Sequence, residues 1–140
     1  ITRDAGINMI GHAILGLYDD DEDSIRKNVD FLRKHQFEWN NIYPAFAYPG
    51  TPFYDKYVGE GIIEEPRSWE EYGLYSYECK PLPTKHLTSA QVLSLRDELF
   101  NEYYGDQNVQ DNLRIKFGQK TIDHINEMLS VKLKRKILGD

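Results

Sequence analysis

Gly11-His12-Ala13-Ile14-Leu15-Gly16-Leu17-Tyr18-Asp19-Asp20 is the stretch whose reading decides the fold. The apolar run around it is short and bounded by acids, which predicts a strand over residues 8–17. Alternation along a strand sends His12, Ile14 and Gly16 to one face and Ala13, Leu15 and Leu17 to the other. Asp19, Asp20, Asp21, Glu22 and Asp23 come next. They precede an amphipathic helix predicted over 24–34, with Ile25, Val29 and Leu32 at helical spacing and the acids at its positive end. A second apolar stretch, 41–48, predicts another strand that stops at Pro49-Gly50-Thr51-Pro52. There Pro49 and Gly50 make a turn, Thr51 can cap the next helix, and Pro52 suits its first position because the missing N–H would be unpaired there anyway. Strand, helix, strand, helix is the rhythm of a parallel sheet with crossover helices. Two such strands cannot bury a sheet by themselves.

Outward from this unit, residues 63–87 show no clear period, contain three prolines and a tyrosine-rich stretch (Tyr72, Tyr75 and Tyr77), and read as ordered loop. Thr88-Ser89-Ala90-Gln91 is a capping box, and Val92, Leu95, Leu99 and Tyr103 line one face of the helix it opens. Two further helices are predicted over 109–117, stopped by Gly118, and over 121–138, with Ile122, Ile125, Leu129, Leu133 and Ile137 apolar. The expected organisation is a β/α part (1–62), a loop (63–87) and a helical extension (88–140).

Composition narrows the function. With 17 basic against 23 acidic residues and a net charge of -6, a nucleic-acid or anionic-membrane partner is not expected, because phosphate affinity needs a cationic surface. Lys132, Lys134, Arg135 and Lys136 are the local exception; read as the last turns of a helix, they offset its negative end. A single cysteine, Cys79, excludes a disulfide framework, a four-cysteine zinc site and a self-contained iron-sulfur cluster, and points to a reducing cytoplasm. No apolar run approaches the roughly 20 residues that span a bilayer. At 140 residues the chain is well short of the roughly 250 of a complete eight-fold β/α barrel, and it starts at Ile1, so it is expected to be a piece of a longer protein.

Several residues admit both a chemical and a structural reading. Gly16, at the carboxyl end of its strand, would let a flat ligand approach the backbone, or it simply makes a tight exit. His12 faces a ligand or is a satisfied core histidine. Asp19, Asp21, Asp23 and Asp30 have the spacing of a calcium loop, but Ser24 stands where the turn needs glycine and Ile25 is already helical, which favours charge compensation at a helix end. His35, His86 and His124 lack ligand spacing to one another, and Cys79 reads as a buried, inert thiol despite Lys80 beside it. The tyrosines read as packing between loop and helices.

The pattern Ile14-x-Gly16-x-x-Asp19, the acidic cap, the amphipathic helix and then Tyr43-Pro44-Ala45-Phe46-Ala47-Tyr48-Pro49-Gly50-Thr51-Pro52 resemble the last two β/α units of the radical S-adenosylmethionine enzyme core. In that family the fifth strand carries a loose GxIxGxxE pattern lining the adenine pocket, and the sixth ends in an aromatic run before Pro-Gly-Thr. Here His12 stands in place of the first glycine and Asp19 in place of the glutamate. The tract from Ser76 through Leu82-Pro83-Thr84-Lys85 is similar to the tail of members that carry a cobalamin-binding domain upstream.

The resemblance implies an α/β fold: a partial parallel (β/α) barrel fragment, the last two units, followed by an α-helical C-terminal extension. It implies that Ile14 and Gly16 lie against the adenine, with the backbone of Ala45 and Phe46 next to it. Tyr43 or Tyr48 would be stacking or lid residues, and His12 would face the barrel lumen. Family members hold a 4Fe-4S cluster on a C-x3-C-x2-C loop and use it to cleave S-adenosylmethionine. One cysteine cannot supply three thiolates, so no cofactor is expected in this fragment alone. The cluster, S-adenosylmethionine and, in the cobalamin subgroup, cobalamin would belong to the parent protein. The expected partner is the rest of that parent chain, with self-association in isolation through unpaired strand edges. The contrasting expectation is a free-standing α/β protein-interaction module without catalysis.

Overall fold

Strand β1 (Ile10–Leu15) and strand β2 (Trp39–Pro44) pair in parallel, Ile10 opposite Trp39 and Leu15 opposite Pro44. The computed structural model describes residues 1–2 and 4–140. Helix α1 (Glu22–His35) makes the crossover between the strands, and α2 (Pro52–Gly59) follows β2. After a 3-10 turn (Trp69–Tyr72) come α3 (Ser89–Gly105), α4 (Gln107–Phe117), α5 (Gln119–Ser130) and a last 3-10 turn (Lys136–Leu138). The chain is thus an α/β protein in which, among the described residues, two parallel strands are outnumbered by five α-helices. No helix of the described residues is long and apolar enough to cross a membrane.

The local signals act as the sequence suggests. Asp21 caps α1 through a reciprocal pair of bonds with Ser24, and Glu22 and Asp23 occupy the first turn. Thr51 accepts the Tyr54 N–H at 3.2 Å with Pro52 opening α2, and Thr88 and Gln91 complete the capping box of α3. The last helix is the exception. The expected helix over 121–138 stops at Ser130, and residues 131–135 run on without helical bonds. Lys132, Lys134 and Arg135 therefore do not sit in helical turns, and Lys136 only opens the last 3-10 turn. Leu133 and Ile137 mimic helical spacing, but the burial of Arg135 against α3 and the loop outweighs it.

One buried face of the sheet carries the core. Ala13, Leu15 and Ile42 pack with Ile25, Val29 and Leu32 of α1, and the same cluster takes Leu95, Leu99, Tyr103 and Tyr104 of α3, then Leu113, Ile122 and Ile125 of α4 and α5. Residues of the β/α part and of the helical part share this core.

The two edges of the sheet differ. In a parallel pair every second residue turns its N–H and C=O away from the partner strand. On β2 these are Asn40, Ile42 and Pro44. The Tyr104 hydroxyl donates to the Asn40 carbonyl at 2.6 Å and accepts the Asn40 N–H at 3.1 Å, while Arg96 Nε donates to the Ile42 carbonyl at 2.9 Å. Pro44 has no N–H to leave unpaired. Helix α3 thereby closes this edge to another strand. The outward groups of β1, on Ile10, His12 and Ile14, border an open groove of about 480 Å³ lined by Leu17, Asn28, Phe31 and Phe37.

At the amino end of the strands, buried Glu38 accepts the Lys116 ammonium and the Met9 N–H. The Lys116 contact, joined by the Met9 N–H, lowers its carboxyl from an ordinary 4.5 to about 2. A carboxyl depressed on folding stabilises the native state above its unfolded pKa and loses that contribution as pH falls through the folded value. The stability gap between the native chain and Glu38→Gln is therefore expected to be full near neutral pH and to shrink as pH falls below about 4 toward 2. Urea unfolding across that range measures it, and a gap independent of pH would contradict the assignment.

Candidate functional site

Parallel sheets present ligands at the carboxyl ends of their strands. At the exit of β1, Gly16 has φ +83°, and a Cβ placed there would lie 2.7 Å from Val92 Cγ1 of α3. Its N–H and that of Leu17 both donate to Asp20 Oδ2, at 3.0 and 2.9 Å, and Asp20 Oδ1 accepts the Ser24 hydroxyl. The carboxylate that folds the loop back is therefore Asp20, one residue beyond Asp19, which stays exposed. Left-handed backbone and the approach of Val92 account for glycine at 16 without any ligand.

At the exit of β2, the Ala45 N–H donates to the Leu15 carbonyl at 2.8 Å and the Ala45 carbonyl accepts the Leu82 N–H at 2.9 Å. Ala45 and Ala47 are buried with Tyr57 and Leu82, which pins the loop beneath them. Phe46 and Tyr48 point the other way into an aromatic group. Tyr48 stacks on Tyr72 at 5.1 Å between centroids, Phe46 meets Tyr72 edge-on at 6.1 Å, and Trp69 lies 5.7 Å from Tyr72. The Tyr72 hydroxyl is buried without a hydrogen-bond partner, and burial raises its pKa.

The sheet face opposite the core completes the region. Ile14 is paired with Tyr43 across the strands near their carboxyl ends, and the two are 54% and 40% exposed, an adjoining apolar pair left open on one face. His12 stands on the same face, its Nδ1 3.4 Å from the Asn41 amide nitrogen.

The expected site residues thus divide. His12, Ile14 and Tyr43 lie together on the bare face, and Phe46 and Tyr48 join the aromatic group. Gly16 and Ala45 are buried, with backbone groups already committed inside the fold. Trp69 escapes sequence reading, and Tyr72, read there only as packing, meets Tyr48 through the path of a loop without period; the local density of aromatics is the one signal of this group. The buried Arg96 and Arg135 and the half-buried Asp97 between them are also missed, since charged residues on a helix and in a basic run read as solvated.

Chemically, the region binds better than it reacts. His12 has an amide, not a carboxylate, as its side-chain neighbour. Cys79 is fully buried and burial pushes its thiol up to about 11, which makes it a poor nucleophile or metal ligand. Among the described residues, no group of three histidine, cysteine or acidic side chains is placed to hold a metal. What the face offers is apolar and aromatic surface at the end of a parallel sheet, suited to a flat, partly apolar molecule. Neither the protein-family models nor the curated proteins include a match to this chain.

Proposed function

We propose that this chain is the C-terminal portion of a radical S-adenosylmethionine enzyme, of the oxidoreductase or methyltransferase kind, comprising the last two β/α units of a partial barrel and a helical extension. In this reading it supplies the adenine-side wall of the S-adenosylmethionine pocket and part of the substrate lid. The observation that carries the proposal is the asymmetry of the sheet. Tyr104, Arg96 and Pro44 close the outer edge of β2, while the edge of β1 and the face bearing Ile10, His12, Ile14 and Tyr43 are bare. This asymmetry supports the reading, because the final strands of a parallel sheet that continues on one side only would be covered at one edge and open at the other.

The residues present do not fit the iron-sulfur cluster, because the one cysteine is buried with a raised pKa. The chain's own part is to present Ile14 and Tyr43, with Phe46 and Tyr48 beyond them, as apolar walls that exclude water from a flat base. His12 lies on the lumen side. Cluster ligands, and cobalamin where it is used, belong to upstream residues, and the cytoplasm suits such a protein.

Two measurements test this. The reading frame upstream of Ile1 is expected to encode a C-x3-C-x2-C loop; its absence would overturn the proposal in favour of a free-standing interaction module. Anaerobic reconstitution of this chain with iron and sulfide is expected to give no stoichiometric cluster absorbance, and a stable cluster would contradict the ligand count. The bare edge and face further lead to self-association of the isolated chain.

A further inference from the structure

We propose that the C-terminal segment 131–140 is a strap that latches the aromatic lid, with Arg135 as its bolt; the term lid rests on the function proposed above, the latch itself on the contacts alone. Arg135 belongs to a segment without helical bonds, yet it is wholly buried. Its guanidinium takes Asp97 of α3 with two bonds, Nε to Oδ2 at 2.9 Å and Nη2 to Oδ1 at 3.0 Å. Nη1 donates to the carbonyls of Leu74 at 2.6 Å and Ser76 at 3.1 Å. One side chain therefore ties the strap to a core helix and to the loop that begins two residues after Tyr72.

The strap holds the same loop along its length. The Lys136 N–H donates to the Tyr77 carbonyl at 2.9 Å, the Tyr77 hydroxyl donates to the Asp140 carbonyl at 2.9 Å, and Lys136 Nζ meets the Glu78 carboxylate. Asp140 turns back to accept the Arg135 N–H at 3.0 Å, which closes the strap on itself. On the far side of the latch, Asp97 Oδ1 also accepts from Arg96, the residue that caps the Ile42 carbonyl of β2. The strand carrying Tyr43, the loop carrying Tyr72 and the end of the chain thus meet at one carboxylate. Apart from Cys79, loop 74–79 is not part of the apolar core, so the placement of the turn before it, whose Tyr72 meets Phe46 and Tyr48, depends on these polar ties. With the strap released, the Tyr48 and Tyr72 stack opens while the sheet and helices stay in place.

Cys79, the one cysteine of the chain, lies buried in this loop and reports on its opening. Thiol labelling of the native chain in the absence of denaturant is expected to be about tenfold or more faster in Arg135→Ala, intermediate in Arg135→Lys, and insensitive to low urea, as local opening is and global unfolding is not. Far-ultraviolet circular dichroism is expected to keep its helical signal, and hydrogen exchange to quicken at the amides of Gly73 and Lys80, which bond to Glu70 and Glu71. Should Arg135→Ala lose its helices, Tyr77→Phe combined with Glu78→Gln decides the matter, because it loosens the strap from its exposed side and leaves the buried ions paired. Faster labelling in that variant supports the latch. Labelling unchanged in the folded variants, or accelerated only in step with global unfolding, overturns it. The measurement uses no cofactor, so its failure leaves the proposed function standing, and failure of that function leaves the latch testable.

Discussion

Asp97→Ala is expected to lower the stability of the chain by about 3–5 kcal/mol, the cost of stranding buried charge. Asp97 is the carboxylate between Arg96 and Arg135, whose side chains are 3% and 1% exposed. Neither guanidinium can discard its proton, so without Asp97 both remain charged in a site that water barely reaches. The carbonyls of Leu74, Ser76 and Ile42 retain their bonds to the arginines and soften the loss without replacing the countercharge. Asp97→Asn keeps the shape and one acceptor and is expected to fall between. Urea unfolding, with the midpoint compared at constant slope, measures both. A loss no larger than that of a surface control such as Asp123→Ala would refute the view that Asp97 holds the two buried guanidinium groups as one unit.

Gly16→Ala is expected to cost about 2–4 kcal/mol, the sum of backbone strain and overpacking. The structure contains a control for the first part. Gly50 has φ +84° and Gly16 φ +83°, but a Cβ at 50 meets nothing within 4 Å, whereas at 16 it meets Val92 Cγ1 at 2.7 Å. Gly50→Ala should therefore show strain alone, about 1 kcal/mol. The excess at Gly16 belongs to the collision. Val92→Ala in the Gly16→Ala background is expected to recover that excess and no more, seen as a favourable coupling energy in a double-mutant cycle. Equal losses at 16 and 50, or no coupling to Val92, would show that the packing of α3 on the β1 exit does not require glycine. The result also bears on ligand binding: if strain and Val92 account for the whole cost, the glycine at 16 is explained by the fold.

Much of the local structure was legible because its causes are local. Strand alternation in 10–15, the Thr88 cap and the Thr51-Pro52 start of α2 depend on neighbours one to four residues away, whereas α1 begins at Glu22, two residues before its expected start. The expected helix over 121–138 failed at the point where a distant partner intervened. Leu133 and Ile137 keep helical spacing, but Arg135 gains four bonds to Asp97, Leu74 and Ser76 by leaving the helix. The candidate site divided in the same way. His12, Ile14 and Tyr43 share a face because strand period and register put them there. Trp69 and Tyr72 reach Tyr48 by the route of an aperiodic loop, which no spacing rule encodes.

The sequence by itself determined the α/β class, the parallel pair, the starts of α2 and α3 and a count of one cysteine. These follow from period, capping and valence. Only the tertiary structure decided which sheet edge is closed, that Asp20 rather than Asp19 folds the β1 exit, and that Arg135 of the basic tail is buried against Asp97. Each of these depends on groups brought together from 38 to 64 positions apart, or on which of two adjacent carboxylates the backbone turns inward. Long-range pairing and direction are fixed by the packed chain as a whole.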